Sequence, residues 1–565
     1  MSFSVNSSQQ ISIFDATANL TQREIKMLEK SWAKYFAENI FPAIDEEPFK
    51  VLYSDRPSRH NTPVNVIIGA LIIKEIFQLT DEEIVETLPF DIRYQYALHT
   101  TSFEEQPLND RTLGRFRARC NTYEERTGID LIHQCIVGLS SEMAKMMKIN
   151  TGMRRMDSLM VASSIKKMSR LELLYTCVAN LAKFMHKSED GAFPKSLIHY
   201  TEEDDHNRVL YHNRSEDTES KITQVLKDAA RIITACGSRY DESSEYQLLI
   251  RVIEEQTDKE PDGNLILKSG KSDMNSELLQ NPADPDATFR AKAGKDYRGY
   301  IANVVETADK NNSIAVDYQF EKNIYSDSQF VKDYLDKQPV SEEETILVTD
   351  GGYCGYENVK QAAEKNVHLI TTDLKGADVA DIYADFKFSE DGKEIISCPA
   401  GHRPKSNVYD INTQKCKASF PIEQCKGCPH FAECNPQLHV RVATIKLAKR
   451  TSYHAEQQRF FKTEKLKEYA HFRNGVETIP AALRKRHNVD KMPVRGLIRC
   501  RLYFGFKVAA MNVRKLVKYM SRLGNNPGNS LTKRIPNALS IAETRFFNSD
   551  IHKNQDNVLN FQGSI

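Results

Sequence analysis

Over the first 150 residues, apolar positions recur at helical spacing. Val64 to Phe77 is an apolar run interrupted by Lys74 and Glu75. It predicts a buried helix and is too short to span a bilayer. Leu20 to Asn39 opens with Thr21 and, three residues on, Glu24, the reciprocal pair that caps a helix start. Thr80 predicts the cap of a short helix over DEEIVETL. Phe90 to Leu98 and Leu113 to Cys120 continue the pattern, and Asn109 to Thr112 reads as a helix start before LGRFRARC. The pattern predicts an all-α module over residues 1–148, with a helix-turn-helix pair among its readings.

Near residue 150 the period changes. INTGMRRMDSLMVASS predicts a strand and turn with Asp157 at the strand end, and Leu171 to His186 a helix. Residues 188–294 form an acidic stretch with helical pieces and polar linkers. YRGYIANVVETAD and SIAVDYQFEKN, separated by KNN, predict a hairpin. SQFVKDYLDKQ predicts a helix. TILVTD predicts a short buried strand ending at Asp350, followed by a helix over GYENVKQAAEKN and a strand over VHLITTD. Further on, Tyr453 to Phe472 predicts one charged helix. Val494 to Met520 predicts a long helix that is basic on one side. The tail at 531–565 continues a stretch rich in Asn, Pro and Ser.

Two predicted strands therefore end in aspartates, Asp157 and Asp350. A carboxylate held there is rigid and open, which suits a divalent-cation site, and Gly351 and Gly352 leave Asp350 accessible.

The chain has 565 residues, with 77 basic and 77 acidic side chains. Zero net charge argues against a uniformly basic protein, but the distribution is uneven. Residues 441–534 hold 23 Lys or Arg against 5 Asp or Glu, a net of +18, and 188–262 hold 18 acids against 9 bases. The excess puts a polyanion against the C-terminal third. The N-terminus lacks a basic and an apolar signal region, so the expected location is cytoplasmic. Of 11 cysteines, Cys398, Cys416, Cys425, Cys428 and Cys434 cluster. Cys425 and Cys428 have the spacing of a zinc knuckle, and an odd cysteine count argues against a disulfide framework.

Several stretches carry a resemblance. SDRPSRHNTPVNVIIGALIIKEIFQLTDEEIVETL and YQYALHTTSFEEQPLNDRTLGRFRARC resemble the N-terminal helical domain of bacterial insertion-sequence DDE transposases of the IS-eleven-eighty-two type. MDSLMVASSIKKMSRLELL resembles their first acidic motif. VTDGGYCGYENVKQAAEKNVHLITTDLKG resembles the second. FRNGVETIPAALRKRHNVDKMPVRGLIRCRLYFGFKVAAMNVRKLV resembles their Arg-x-x-x-Glu helix and basic C-terminal helix.

The resemblance implies a mixed α+β chain: an N-terminal all-α DNA-binding domain, an RNase H-like α/β core and a helical C-terminus. The core would occupy 149–187, 295–390 and part of 441–530, split by a helical insertion at 188–294 and a Cys-rich insertion at 391–440. The resemblance also implies a triad of Asp157, Asp350 and Glu477 holding two Mg²⁺ or Mn²⁺ ions, with Glu464 and Glu468 as competing third acids. Arg473, four before Glu477, and Arg484, seven after, match the family's Arg and Lys positions; Tyr469 is four before Arg473 where the family's Tyr is three before, and Lys485 is one place late. Arg473, Arg484, Lys485, Arg495, Arg499 and Arg501 would contact DNA, with Lys507, Arg514, Lys515 and Lys518 along the same long helix. Cys398, Cys425, Cys428 and Cys434 would hold a structural Zn²⁺, with Cys416, His402 and His430 as alternatives. The partner would be double-stranded DNA at element ends and target, bound by a homodimer or higher oligomer, nucleoid-associated when on DNA. Two other readings are a catalytically inactive DNA-binding descendant and a metal-dependent nuclease without strand transfer. His368, Cys354 and Trp32 read as packing residues.

Overall fold

A computed structural model describes residues 1–523, except 7–14, 57, 104, 189–190, 212–214, 262–263, 269–275, 293, 354 and 375. The tail at 531–565 and Cys354 lie outside the described residues.

The N-terminal region is helical. Its principal helices are α1 (Val64–Phe77), α2 (Asp110–Thr127) and α3 (Leu131–Met146). The expected capping box of Thr21 with Glu24 forms, the expected cap at Thr80 forms as a box with Glu83, and Asn109 caps α2 by accepting from Thr112 N. Such caps contribute about 1 kcal/mol each. α1 is buried almost throughout. Its two interrupting charges are paired: Lys74 with Asp81 at 3.1 Å and Glu75 with Lys507 at 2.8 Å.

The chain then enters a curled, mixed six-stranded sheet. β1 (Met153–Ala162) leads to a helical unit made of α4 (Arg170–Lys187), α5 (Ser215–Cys236) and α6 (Ser244–Gln256). That unit has its own core, in which Leu174, Leu181, Val225, Ile232 and Val252 are buried. The sheet resumes with β2 (Thr288–Lys292), β3 (Lys295–Ala308) and β4 (Ser313–Lys322). After α7 (Asp327–Lys337) come β5 (Thr345–Thr349), α8 (Tyr356–Glu364) and β6 (Val367–Thr371). The order is β2-β3-β1-β5-β6, with β4 also on β3. β3 runs antiparallel to β1, placing Val304 opposite Asp157; β1, β5 and β6 run parallel.

Side-chain alternation along β1 divides the layers. Leu159 and Val161 join a core with the N-terminal helices and the last helix, whereas Met156 and Met160 pack with α7 residues Phe330 and Val331. Asp157 is not at a strand end. β1 continues five residues beyond it, because Ser158 to Ala162 keep pairing with Asn303 to Gly299.

A small sheet follows, built of β7 (Ser406–Asp410), β8 (Lys415–Pro421), β9 (Gln437–Leu438) and β10 (Val442–Leu447), in the order β7-β8-β10-β9. The expected single helix from Tyr453 to Phe472 is two helices, α9 (Lys449–Phe461) and α10 (Glu464–Asn474), broken at Lys462 and Thr463. A 3-10 turn, Gly475–Glu477, joins α10 to α11 (Thr478–His487). Pro480 falls in the first turn of α11, where a missing N–H costs nothing, so no kink is needed. α12 (Leu497–Leu523) closes the described chain and packs across α1, α3 and β4. No helix among the described residues is long and apolar enough to cross a membrane.

Candidate active site

Three acids far apart in sequence meet around one arginine. Arg473, in the last turn of α10, stands 3.7 Å from Asp157, 3.8 Å from Asp350 and 3.7 Å from Glu477. Nη2 faces the two aspartates and Nη1 faces the glutamate. Its Nε is buried without a hydrogen-bond partner among the described residues. Glu464 points away and pairs with Lys467 in solvent, its side chain 85% exposed. Tyr469 is buried, packed with Val348 and Ile370 beneath the site.

Local structure fixes each acid. Asp157 accepts from Ser158 N at 3.0 Å, and Ser158 Oγ donates to Asp327. Asp350 follows β5 and accepts from Gly352 N at 2.7 Å. Gly351 is required by close approach: a Cβ there would meet the Asp373 carbonyl at 2.5 Å. Burial pushes the Asp157 carboxyl up to about 6; Arg473 and the Ser158 N–H pull it back, and Asp350 adds to the rise.

The turn carrying Glu477 is tied to β1 by a buried network. Arg155, two residues before Asp157 on the same strand face, donates to Glu306 at 2.7 Å and to the Phe472 carbonyl. Its guanidinium also lies 5.0 Å from the centroid of the Phe472 ring. Glu306, fully buried on β3, takes Lys515 of α12 at 2.7 Å. Gly475 leaves room for Arg155, whose Nη1 would sit 2.1 Å from a Cβ there. Sequence reasoning passed over Arg155, Glu306 and Gly475. The available signal was Glu306 itself, an acid inside the apolar strand IANVVETA.

The predicted basic residues separate into two groups. Arg484, Lys485, Arg495 and Arg499 are exposed. Arg484 donates to the Met160 carbonyl and pairs with Asp490, and Arg495 donates to the Ser164 carbonyl. Arg501 is placed otherwise: it bridges Glu124 at 2.6 Å and Glu321 at 3.0 Å between α2, α12 and β4. Lys507 and Lys515 are likewise committed to Glu75 and Glu306. These three cations neutralise buried acids, whereas Lys518 remains exposed.

Around the small sheet, Cys398, Cys425, Cys428 and Cys434 line one cavity of about 40 Å³ with His402 and His430. Cys416 stands apart, buried in β8 and directed to Asn407 Oδ1. Gly401, at φ +80°, turns the chain so that Cys398 N meets the His402 carbonyl, and Cys428 N bonds back to the Cys425 carbonyl. Burial and the three neighbouring thiols push the Cys434 thiol up to about 11. Among the described residues, no three His, Cys, Asp or Glu side chains are already closed to metal-holding distance. The chemistry of both sets still fits: three hard oxygen donors sharing an internal cation, and four sulfur donors sharing a cavity.

A family model described as Transposase DDE domain matches residues 397–517, and one described as Transposase domain (DUF772) matches residues 26–119. No curated protein sequence matches the chain. Among solved structures, a cryo-EM structure of the piggyBac transposase synaptic complex with hairpin DNA matches at 8% identity, covering 97% of this chain and 87% of that one, with a TM-score of 0.28. The two matched segments are the N-terminal helices and the stretch that brings Arg473 and Glu477 to Asp157 and Asp350, and the two matches together indicate an insertion-sequence DDE transposase.

Proposed function

We propose that the protein cuts DNA at the ends of its insertion element and joins the freed 3′-hydroxyl to target DNA. The observation that carries this is the convergence of Asp157 on β1, Asp350 after β5 and Glu477 around one guanidinium, that of Arg473. The order β4-β3-β1-β5-β6, with only β3 antiparallel to its neighbours, supports an RNase H-like core. Asp157, Asp350 and Glu477 would hold two divalent ions, Mg²⁺ or Mn²⁺. When bound, such ions activate the attacking oxygen and stabilise the leaving one.

The chain's own groups do the rest. β1 and β5 hold two carboxylates on rigid backbone, and the Arg155–Glu306 pair fixes the turn that brings the third. Arg473 would meet the phosphate, and exposed Arg484, Lys485, Arg495 and Arg499 would supply the electrostatic track for duplex DNA. Cys398, Cys425, Cys428 and Cys434 would hold a structural Zn²⁺ that pins the small sheet, a reading checked by metal analysis of protein purified without added metal.

The test uses duplexes bearing the element ends, read from the inverted repeats that flank the reading frame. Asp157→Asn, Asp350→Asn and Glu477→Gln should each abolish cutting and joining while end binding persists. Cutting by all three variants overturns the proposal. Cutting without joined product favours a nuclease instead.

A further inference from the structure

We infer that Tyr353 is a positioning residue that sets the gap between Asp157 and Asp350, and through that gap the ion the site prefers, an inference that rests on the metal-dependent DNA-cutting reading above. The need for such a residue lies in the sheet. Among the described residues, β1 and β5 pair only over Met153 to Arg155 and Ile346 to Val348, so each aspartate stands two residues past the last pair. Asp157 is held by pairing to β3, opposite Val304, and Asp350 follows the strand that pairs with β6. Neighbouring strands are rotated against each other, so past their last bond they splay. The backbone therefore fixes each carboxylate but not the distance between the two. Arg473 faces both at 3.7 and 3.8 Å, beyond hydrogen-bond length, and an entering cation competes with it.

Tyr353 spans that gap from behind the site. Its N–H closes the turn after Asp350 by donating to the Asp350 carbonyl at 3.2 Å. Its side chain is fully buried among Met156, Met160 and Phe330, on the α7 face of the sheet. Oη donates to Asn303 Oδ1 at 2.9 Å. Asn303 is the β3 residue paired with Ser158, the neighbour of Asp157. One side chain thus links the loop carrying Asp350 to the ladder carrying Asp157. Asn303 is itself held: Nδ2 donates to Gln319 Oε1 at 2.7 Å, and Gln319 donates to the Phe330 carbonyl at 3.1 Å. Burial, then the charges of Asp327 and Asp157, push the phenol well above its usual range, so the proton stays on Oη as the donor.

A longer route holds the rest of the loop. Ser158 Oγ donates to Asp327 at 2.8 Å, and Asn358 Nδ2 donates to the Ser328 and Tyr353 carbonyls, each at 2.9 Å. Asp327 and Ser328 open α7, so this route anchors β1 and the loop to one helix. Losing the phenol's bond alone therefore loosens the gap without releasing the loop, and the consequence is a change of ion preference. Mg²⁺ takes near-ideal octahedral geometry with oxygens at about 2.0–2.1 Å, whereas Ca²⁺ accepts a more flexible set at about 2.3–2.6 Å. A gap that drifts penalises the small, strict ion more.

The test uses the full chain without DNA and reads Mn²⁺ displaced from the site by electron paramagnetic resonance. Mg²⁺ and Ca²⁺ serve as competitors, so a change in Mn²⁺ affinity cancels in the comparison. Tyr353→Phe should raise the Mg²⁺ needed for half displacement about tenfold, the effect usual for a group behind a metal ligand, and the Ca²⁺ needed by less than about twofold. Asn303→Ala removes the other end of the same bond and covers the case in which the tyrosine variant does not fold. It should give the same shift, and combining the two should add nothing. Tyr334→Phe, which removes a similarly buried hydroxyl bonded to Arg154 in the same core, should move neither competitor. Equal shifts for the two competitors, or none, overturn the positioning role. Mn²⁺ binding left unaltered by Asp157→Asn combined with Asp350→Asn overturns the metal-dependent reading and the positioning role with it.

Discussion

Arg473 Nη2 lies 3.7 Å from Asp157 Oδ1, so a residue whose sequence position matches a phosphate clamp is also the internal counter-ion of the acidic site. The same guanidinium faces Asp350 and Glu477. Three carboxylates this close repel one another, and a cation among them offsets that repulsion. A divalent ion entering the site competes with this guanidinium. Arg473→Gln should therefore tighten Mn²⁺ binding to the DNA-free protein several-fold, read as loss of the free-ion signal in electron paramagnetic resonance, and should weaken DNA binding. Mn²⁺ affinity that is unchanged or lower in Arg473→Gln would show that the arginine and the ion do not share the space.

Glu306 is fully buried between Arg155 and Lys515. Burial pushes its carboxyl up, but the two cations outweigh that and hold it below the usual range. Glu306→Gln leaves two cations poorly compensated, and the cost of breaking such a buried pair is about 3–5 kcal/mol. The exposed Lys467–Glu464 pair gives the contrast, because neutralising it should cost at most about 1 kcal/mol. Urea unfolding of the two variants checks the difference. A cost for Glu306→Gln no larger than for Glu464→Gln would remove the network from the account of how the Glu477 turn is held.

His487 ends α11 against α1, 1% exposed, with no partner for Nδ1 among the described residues. Burial, then Arg514 and Lys507, push it down to about 3. Unfolded, the ring takes a proton below about 6.5. The lowered folded value means that its contribution is complete above about 6.5 and is lost as pH falls toward about 3, at up to ~1.4 kcal/mol per unit. His487→Gln should therefore lose less stability than wild type between pH 6 and pH 4, measured by urea unfolding across that range. Parallel losses in the two proteins would show that His487 does not drive this dependence.

Local signals were legible in the sequence where the chain solves its own problem. The capping box at Thr21, the cap at Thr80, the strand ending before Asp350 and the Cys425–Cys428 turn all depend on residues a few positions apart. Asp157 read less well: a Gly-free strand that continues past it looks like a strand and turn until Asn303 to Gly299 are known to pair with it. The basic helix read least well. Arg501, Lys507 and Lys515 stand among apolar residues at helical spacing, and nothing nearby shows whether each faces water or a buried acid. Their partners, Glu124, Glu75 and Glu306, lie hundreds of residues away.

The division of that basic helix gives the last prediction. A net of +18 over 441–534 suggests a single phosphate-binding face, but part of that charge is internal. Arg499 and Lys518 are exposed, whereas Arg501 and Lys507 pair with acids from the N-terminal helices. Arg499→Gln with Lys518→Gln should leave the melting temperature near wild type and flatten the salt dependence of binding to any duplex. The flattening should be about 0.9 in log–log slope for each phosphate no longer neutralised. Arg501→Gln or Lys507→Gln should do the reverse. Each strands a buried carboxylate, so the melting temperature falls by several degrees, while the protein that remains folded keeps its slope. Salt titrations on an element end and on random duplex, run beside thermal melts, separate the two groups. A flattened slope with an unchanged melt in Arg501→Gln would put that arginine back on the DNA-facing surface.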